Sequence, residues 1–144
     1  MRETLLLIFV VIAMQVTGCA TIHTKGKPTI NRTDATGFIN RPVTVDKSVM
    51  TYSLFIPKDY DPKKPWPLTV FFHGAGKRGS DGLFQTEVGI GRTIRRHADW
   101  FPCLVAMPQC PLKEKVFWDK SESIIDAALA DARTNYSVAR NGFI

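Results

Sequence analysis

Leu68-Thr69-Val70-Phe71-Phe72-His73-Gly74-Ala75-Gly76-Lys77-Arg78-Gly79-Ser80-Asp81-Gly82 is the stretch on which the fold turns. Its opening residues, Leu68 to Phe72, form a nearly continuous apolar run. Such a run is the usual signature of a strand covered on both faces, as in the parallel sheet of an α/β protein. Glycines then crowd the segment that follows, so the strand must feed a loop in which the backbone approaches something closely. Gly74, Gly76 and Gly79 satisfy the G-x-G-x-x-G spacing of a dinucleotide site. That site needs a helix to open at once and an acidic residue at the end of the next strand. Here Ser80, Asp81 and Gly82 prolong the loop, and Pro108 and Gln109 stand where the acid belongs, which leaves a nucleotide-binding module as the weaker reading. A Walker-type phosphate loop requires Lys after its last glycine, where this chain has Ser80.

Working outward from the loop, apolar and polar residues largely alternate over Phe38 to Val45 and again over Met50 to Ile56. Asp46, Lys47 and Ser48 between them suit a turn, so an antiparallel hairpin is predicted, and Pro42 assigns its strand to a sheet edge. Pro57 to Pro67 is a loop. Beyond the glycines, the pattern predicts a helix around Thr93 to Trp100 and a second buried strand at Cys103 to Met107, halted by Pro108. Ile124, Ile125, Ala128, Leu129 and Ala132 recur at helical spacing within Ser121 to Asn135, with Ser121 or Ser123 placed to cap that helix. Strand, helix, strand, helix in this order predicts an α/β fold, and no internal repeat interrupts it.

The 144 residues suffice for one domain. A hydrophobic fraction of 44% with 22% charged residues excludes a disordered chain and a polytopic membrane protein. The net charge of +6 is spread along the whole length, without the basic run or interleaved aromatics of a nucleic-acid groove, so no nucleic-acid partner is expected. No Cys and His spacing resembles a metal site, and no cofactor is implied.

At the N-terminus Arg2 precedes an apolar run, Leu5 to Met14, too short to span a hydrocarbon layer about 30 Å thick but suited to the core of an export signal. The run leads into Val16-Thr17-Gly18-Cys19, which resembles the lipobox of bacterial lipoproteins. The resemblance implies a signal peptide over residues 1–18, lipidation of Cys19, and a location in the cell envelope, with Ala20 after the cysteine implying the outer membrane. Residues 20–36 are polar and lack an apolar period, so residues 19–36 read as a tether and residues 37–144 as the domain. Outside the cytosol a disulfide between Cys103 and Cys110 is permitted. It would require the chain to double back at the end of a strand, and two buried thiols are the alternative.

A third reading of the glycine loop is a donor of backbone N–H groups to an oxyanion. In α/β-hydrolases the loop after the third strand begins His-Gly and supplies one such donor. The chain resembles bacterial esterases of that fold related to feruloyl esterases, polyhydroxybutyrate depolymerases and the phospholipase/carboxylesterase group. The residues that carry the resemblance are Pro57 and Tyr60, Pro65 to Pro67, His73 to Asp81, Pro108 to Pro111, and Trp118, within a similarity running from about Tyr52 onward. It implies that Ala75 gives the oxyanion N–H while His73, Gly74 and Gly76 shape the loop. Lys77 stands where the family often has an acidic residue, which puts a salt bridge to Arg78 in doubt. The triad order of the fold is Ser, acid, His, with the base late in the chain, so His73 is expected to hold the loop and not to act as base. His23 and His97 are expected at the surface.

The nucleophile of this fold sits on a tight turn, usually G-x-S-x-G, and no such sequence occurs in the 144 residues. Ser80 comes closest, but Arg78 occupies the place of the first glycine. The resemblance therefore implies the N-terminal part of a hydrolase, ending before nucleophile, acid and base. A chain so truncated is expected to be inactive alone and marginally stable, because the sheet keeps an open edge. The alternatives are a non-catalytic lipid-anchored binding protein and one half of a split hydrolase whose partner is the missing C-terminal half. An ester substrate is implied only as a class.

Overall fold

The computed structural model describes residues 35–112 and 117–140. The export signal, Cys19 and the tether up to residue 34 lie outside the described residues. The elements are β1 (Gly37–Val45), β2 (Ser48–Ile56), β3 (Leu68–Val70), α1 (Gly89–Arg96), β4 (Leu104–Pro108) and α2 (Glu122–Asn135), with short 3₁₀ turns between them.

β1 and β2 pair antiparallel from Gly37 opposite Ile56 to Val45 opposite Ser48, so only Asp46 and Lys47 form the turn. Both have positive φ, 47° and 67°. This is the handedness that matches the twist of a tight hairpin, and Asp tolerates it better than Lys. β4 pairs antiparallel with β2 and parallel with β3, giving the strand order β1-β2-β4-β3. Pro42 thus lies on an edge strand, where its missing N–H costs no ladder bond.

The two faces of this mixed sheet follow from strand alternation. Tyr52, Leu54, Ile56, Leu104 and Ala106 pack with Leu68 against Ile124, Ala128 and Ala132 of α2. Phe55, Val105 and Met107 point the other way and meet Ile94 of α1. Because a helix covers each face, Tyr52 to Ile56 are buried without interruption, although their sequence reads as alternating. β1 keeps the alternation, with Arg41, Val43 and Val45 inward. Arg41 is not an error there: its Nε and Nη2 each donate to the Asp131 carboxylate of α2 at 2.7 Å, and the Tyr52 hydroxyl donates to the same group at 2.8 Å. Burial and that bond push the Tyr52 phenol well above its ordinary range.

Three expectations need correction. α1 opens at Gly89 and closes at Arg96, and Ala98–Trp100 forms a separate 3₁₀ turn. The two glycines at the start of α1 suppress the helical signal in the sequence, yet packing requires them. A Cβ at Gly91 would collide with the Thr86 backbone, and one at Gly89 would lie 2.7 Å from the Phe71 ring. At α2, Ser121 occupies the capping position but its hydroxyl donates to the Phe117 carbonyl at 2.9 Å, so it makes no cap. Finally, Leu68 is buried but Thr69 and Val70 are only half-buried, since β3 ends the strand order.

Candidate oxyanion loop

The ladder continues one residue past β3, where the Phe71 N–H donates to the Ala106 carbonyl at 2.9 Å. The chain then leaves the sheet at His73, whose side chain is 3% exposed. The Cys110 N–H donates to His73 Nε2 at 3.0 Å. A backbone amide can only donate, so Nε2 is an acceptor, Nδ1 carries the proton, and Nδ1–H donates to the Gly74 carbonyl at 2.7 Å. Burial lowers the imidazole pKa, which keeps the ring neutral. The indole N–H of Trp118 donates to the His73 carbonyl at 2.9 Å, with the two rings packed edge to face. Both ring nitrogens of His73 are committed to backbone, so the residue ties the loop to the end of β4 and is not placed to take a proton from a nucleophile.

The far side of the loop is held by Gln109, 1% exposed. Its Oε1 accepts the Gly82 N–H at 2.7 Å and its Nε2 donates to the Lys77 carbonyl at 3.2 Å. Gly79 donates to the Cys110 carbonyl at 2.9 Å. A Cβ at Gly79 would stand 2.7 Å from Gln109 Nε2, so glycine is what lets the loop close over this side chain. Asp81 accepts the N–H groups of Phe84 and Leu83, and these bonds hold its carboxyl below the usual range.

Between the two anchors, Ala75–Lys77 makes one 3₁₀ turn, with Lys77 N–H bonded to the Gly74 carbonyl at 3.0 Å. The first N–H groups of a helical turn have no partner inside it. Among the described residues no acceptor takes the N–H of Ala75 or of Gly76. A Cβ at Gly74 or Gly76 would meet nothing within 4 Å, so the loop is uncrowded on the side where these residues would carry side chains. Around it stand Phe72 on Trp118, Lys77 Nζ 3.7 Å over the Phe84 ring and the Arg78 guanidinium 5.0 Å over the Phe117 ring. Such an arrangement can stabilise negative charge growing on an oxygen, but it contains no activated nucleophile.

The structure brings His73, Gly74, Ala75 and Gly76 together at the end of β3, and it adds Gln109, Cys110 and Trp118, to which the sequence assigned no part in the loop. Their only signal was membership of the Pro108-to-Pro111 and Trp118 pattern. Ser80 is exposed, and Ser121 is buried against Phe117 and Cys110, so neither approaches a histidine ring nitrogen. His97 stacks on Trp100 at the surface, as expected. Cys103 and Cys110 are not joined by a disulfide. Among the described residues no group of His, Cys, Asp and Glu converges as a metal site needs, and no helix is long and apolar enough to cross a membrane.

No family model matches the chain, and no curated protein matches it. Among solved structures, a thermostable esterase is similar with 27% identity and a TM-score of 0.56, over 74% of this chain and 32% of the esterase. A mutant of the feruloyl esterase module from Clostridium thermocellum, complexed with sinapinate, is similar with 15% identity and a TM-score of 0.53, over 76% of this chain and 39% of the module. The chain spans about a third of the length of these structures. The described residues have a partial α/β-hydrolase fold, similar to part of these two structures.

Proposed function

We propose that this domain is the oxyanion-loop part of a lipid-anchored serine esterase, in which the Ala75 N–H receives the developing charge while a carboxylic ester is cleaved by acyl transfer. One observation carries the reading. The Ala75 amide is unclaimed at the start of a turn whose two sides are fixed by His73 and Gln109. Nucleophile, acid and base would be supplied by sequence outside these 144 residues, and the 144-residue chain alone would not turn over an ester above background.

The far end of the domain supports this. Trp66 N–H donates to the Ser137 carbonyl and Ala139 N–H to the Trp66 carbonyl, both at 2.8 Å, a parallel bridge that runs beside the chain entering β3. A strand that kept this register would draw level with Phe72 and His73, and the turn after it would emerge beside Ala75. That is where a serine on a strand-to-helix turn has to stand. The side of β3 that pairs with no strand among the described residues would accept a separately encoded C-terminal half, which is the second reading.

Sequencing the DNA beyond codon 144 tests the proposal. A G-x-S-x-G within about 30 codons, in any frame, is the expected result. Its absence from all frames and from every protein co-purifying with the chain would end the esterase reading. The lipid anchor is tested separately: labelled fatty acid should enter the wild-type chain and fail to enter Cys19→Ala.

A further inference from the structure

α1 carries a feature that the esterase reading does not use. Gly89, Arg92, Thr93, Arg96, His97 and Trp100 line a cavity of about 270 Å³ on the outer side of the helix. Arg92 and Arg96 are four residues apart and so project side by side from one face. Trp100 is 68% exposed and stacks on the His97 ring at 4.0 Å with an interplanar angle of 10°, forming a flat wall beside them.

The neighbouring charges are engaged elsewhere. Arg95, between the two, bonds Thr86 and Glu87 and lies over the Phe38 ring. Asp99, the carboxylate next to Trp100, is paired with Lys58 at 2.7 Å. Among the described residues no carboxylate lies within salt-bridge distance of Arg92 or Arg96. A basic residue in the last turn of a helix offsets the macrodipole, which would account for Arg96. It accounts neither for Arg92, a turn earlier, nor for an exposed stacked indole beside both.

We propose that this cavity binds a phosphate group, the two guanidinium groups gripping its oxygens and Trp100 covering what the phosphate is attached to. One guanidinium fork saturates a planar carboxylate. Two forks a helical turn apart suit a tetrahedral anion with oxygens to spare for both. The site lies on the opposite face of the sheet from α2 and is independent of the oxyanion loop.

The test uses the full 144-residue chain, isotope-labelled, in a non-ionic detergent, with inorganic phosphate as the first probe and chloride at matched ionic strength as the control. Phosphate should saturate shifts of the Trp100 indole N–H and the Thr93 and His97 amides, and Arg92→Gln with Arg96→Gln should weaken binding by roughly tenfold or more. A second arm uses vesicles of phosphatidylcholine with and without phosphatidylglycerol. Anionic vesicles that bind the wild type and lose the advantage with the double variant assign the phosphate to a lipid headgroup; a response to inorganic phosphate alone assigns it to a soluble ligand. Silence in both arms, or equal responses from wild type and double variant, overturns the proposal. Neither outcome bears on the esterase reading, which the downstream sequence decides.

Discussion

The α2 face and the loop after β3 are both held by buried polar side chains, but the two regions use them in opposite ways. On the α2 face Arg41, Tyr52 and Asn135 all donate to the Asp131 carboxylate, so the donors converge on one acceptor group. In the loop, His73 and Gln109 bond to backbone on either side of Ala75, and two amides between them are left over. A convergent network contributes stability and specificity of packing. A network that fixes backbone while leaving donors unmatched holds those donors in place for a later partner, which is what the proposed function requires of them.

Breaking the convergent network should have the largest effect. Asp131→Ala leaves the Arg41 guanidinium, nearly inaccessible to solvent, without its carboxylate. Losing one partner of a buried pair costs about 3 kcal/mol or more, which urea denaturation of the 144-residue chain will register as a large fall in midpoint with the loop amides retained in the folded fraction.

Breaking the loop's far anchor comes next. Gln109→Ala removes two hydrogen bonds and exposes the Gly82 amide, at a cost of about 1 to 3 kcal/mol. Gly79→Ala should act through the same contact, because the new methyl group displaces the Gln109 side chain. For both variants, hydrogen exchange at Gly82 should accelerate more than exchange at the Leu54 amide in β2.

The near anchor responds to pH. Burial lowers the His73 pKa in the folded chain, so the unfolded chain takes up this proton first as the pH falls. The His73 contribution is therefore complete above the ordinary histidine pKa of about 6.5 and is lost below it, towards the depressed folded value. Protonation would also place a hydrogen on Nε2 and eject the Cys110 amide. Urea midpoints at about pH 7.5 and about pH 5.5 should differ more for the wild type than for His73→Asn, and an equal drop in both would remove His73 from this role.

The smallest effect is the most diagnostic of an open site. Gly76→Ala meets nothing within 4 Å and has no positive φ to lose, so stability should change by less than about 0.5 kcal/mol. A fall as large as that of Gly79→Ala would mean the space beside Gly76 is filled.

Much of this division was legible in the sequence. The hairpin and the Ala-rich face of α2 announce themselves because burial imposes a period on residue type, whereas the apolar run Leu68 to Phe72 announces a strand but overstates its burial, since only Leu68 is covered on both faces. The glycine loop announces itself because backbone must approach something there. The anchors did not. Gln109 and Cys110 act through bonds to residues about thirty positions away, and nothing local in Pro108-Gln109-Cys110-Pro111 says which backbone groups they reach. The start of α1 was hidden for a related reason, since Gly89 and Gly91 are poor helix formers required by the Phe71 ring across the fold and by the Thr86 backbone in the preceding turn.

Residue-resolved hydrogen exchange across the loop addresses the central claim most directly. The account predicts that the Ala75 and Gly76 amides exchange close to the rate of an unstructured chain while Gly79, Gly82 and Cys110, on either side of them in space, are protected. Protection of Ala75 to the level of Gly82 would show that its N–H is already spent, and uniform fast exchange through all five would show that the anchors do not hold.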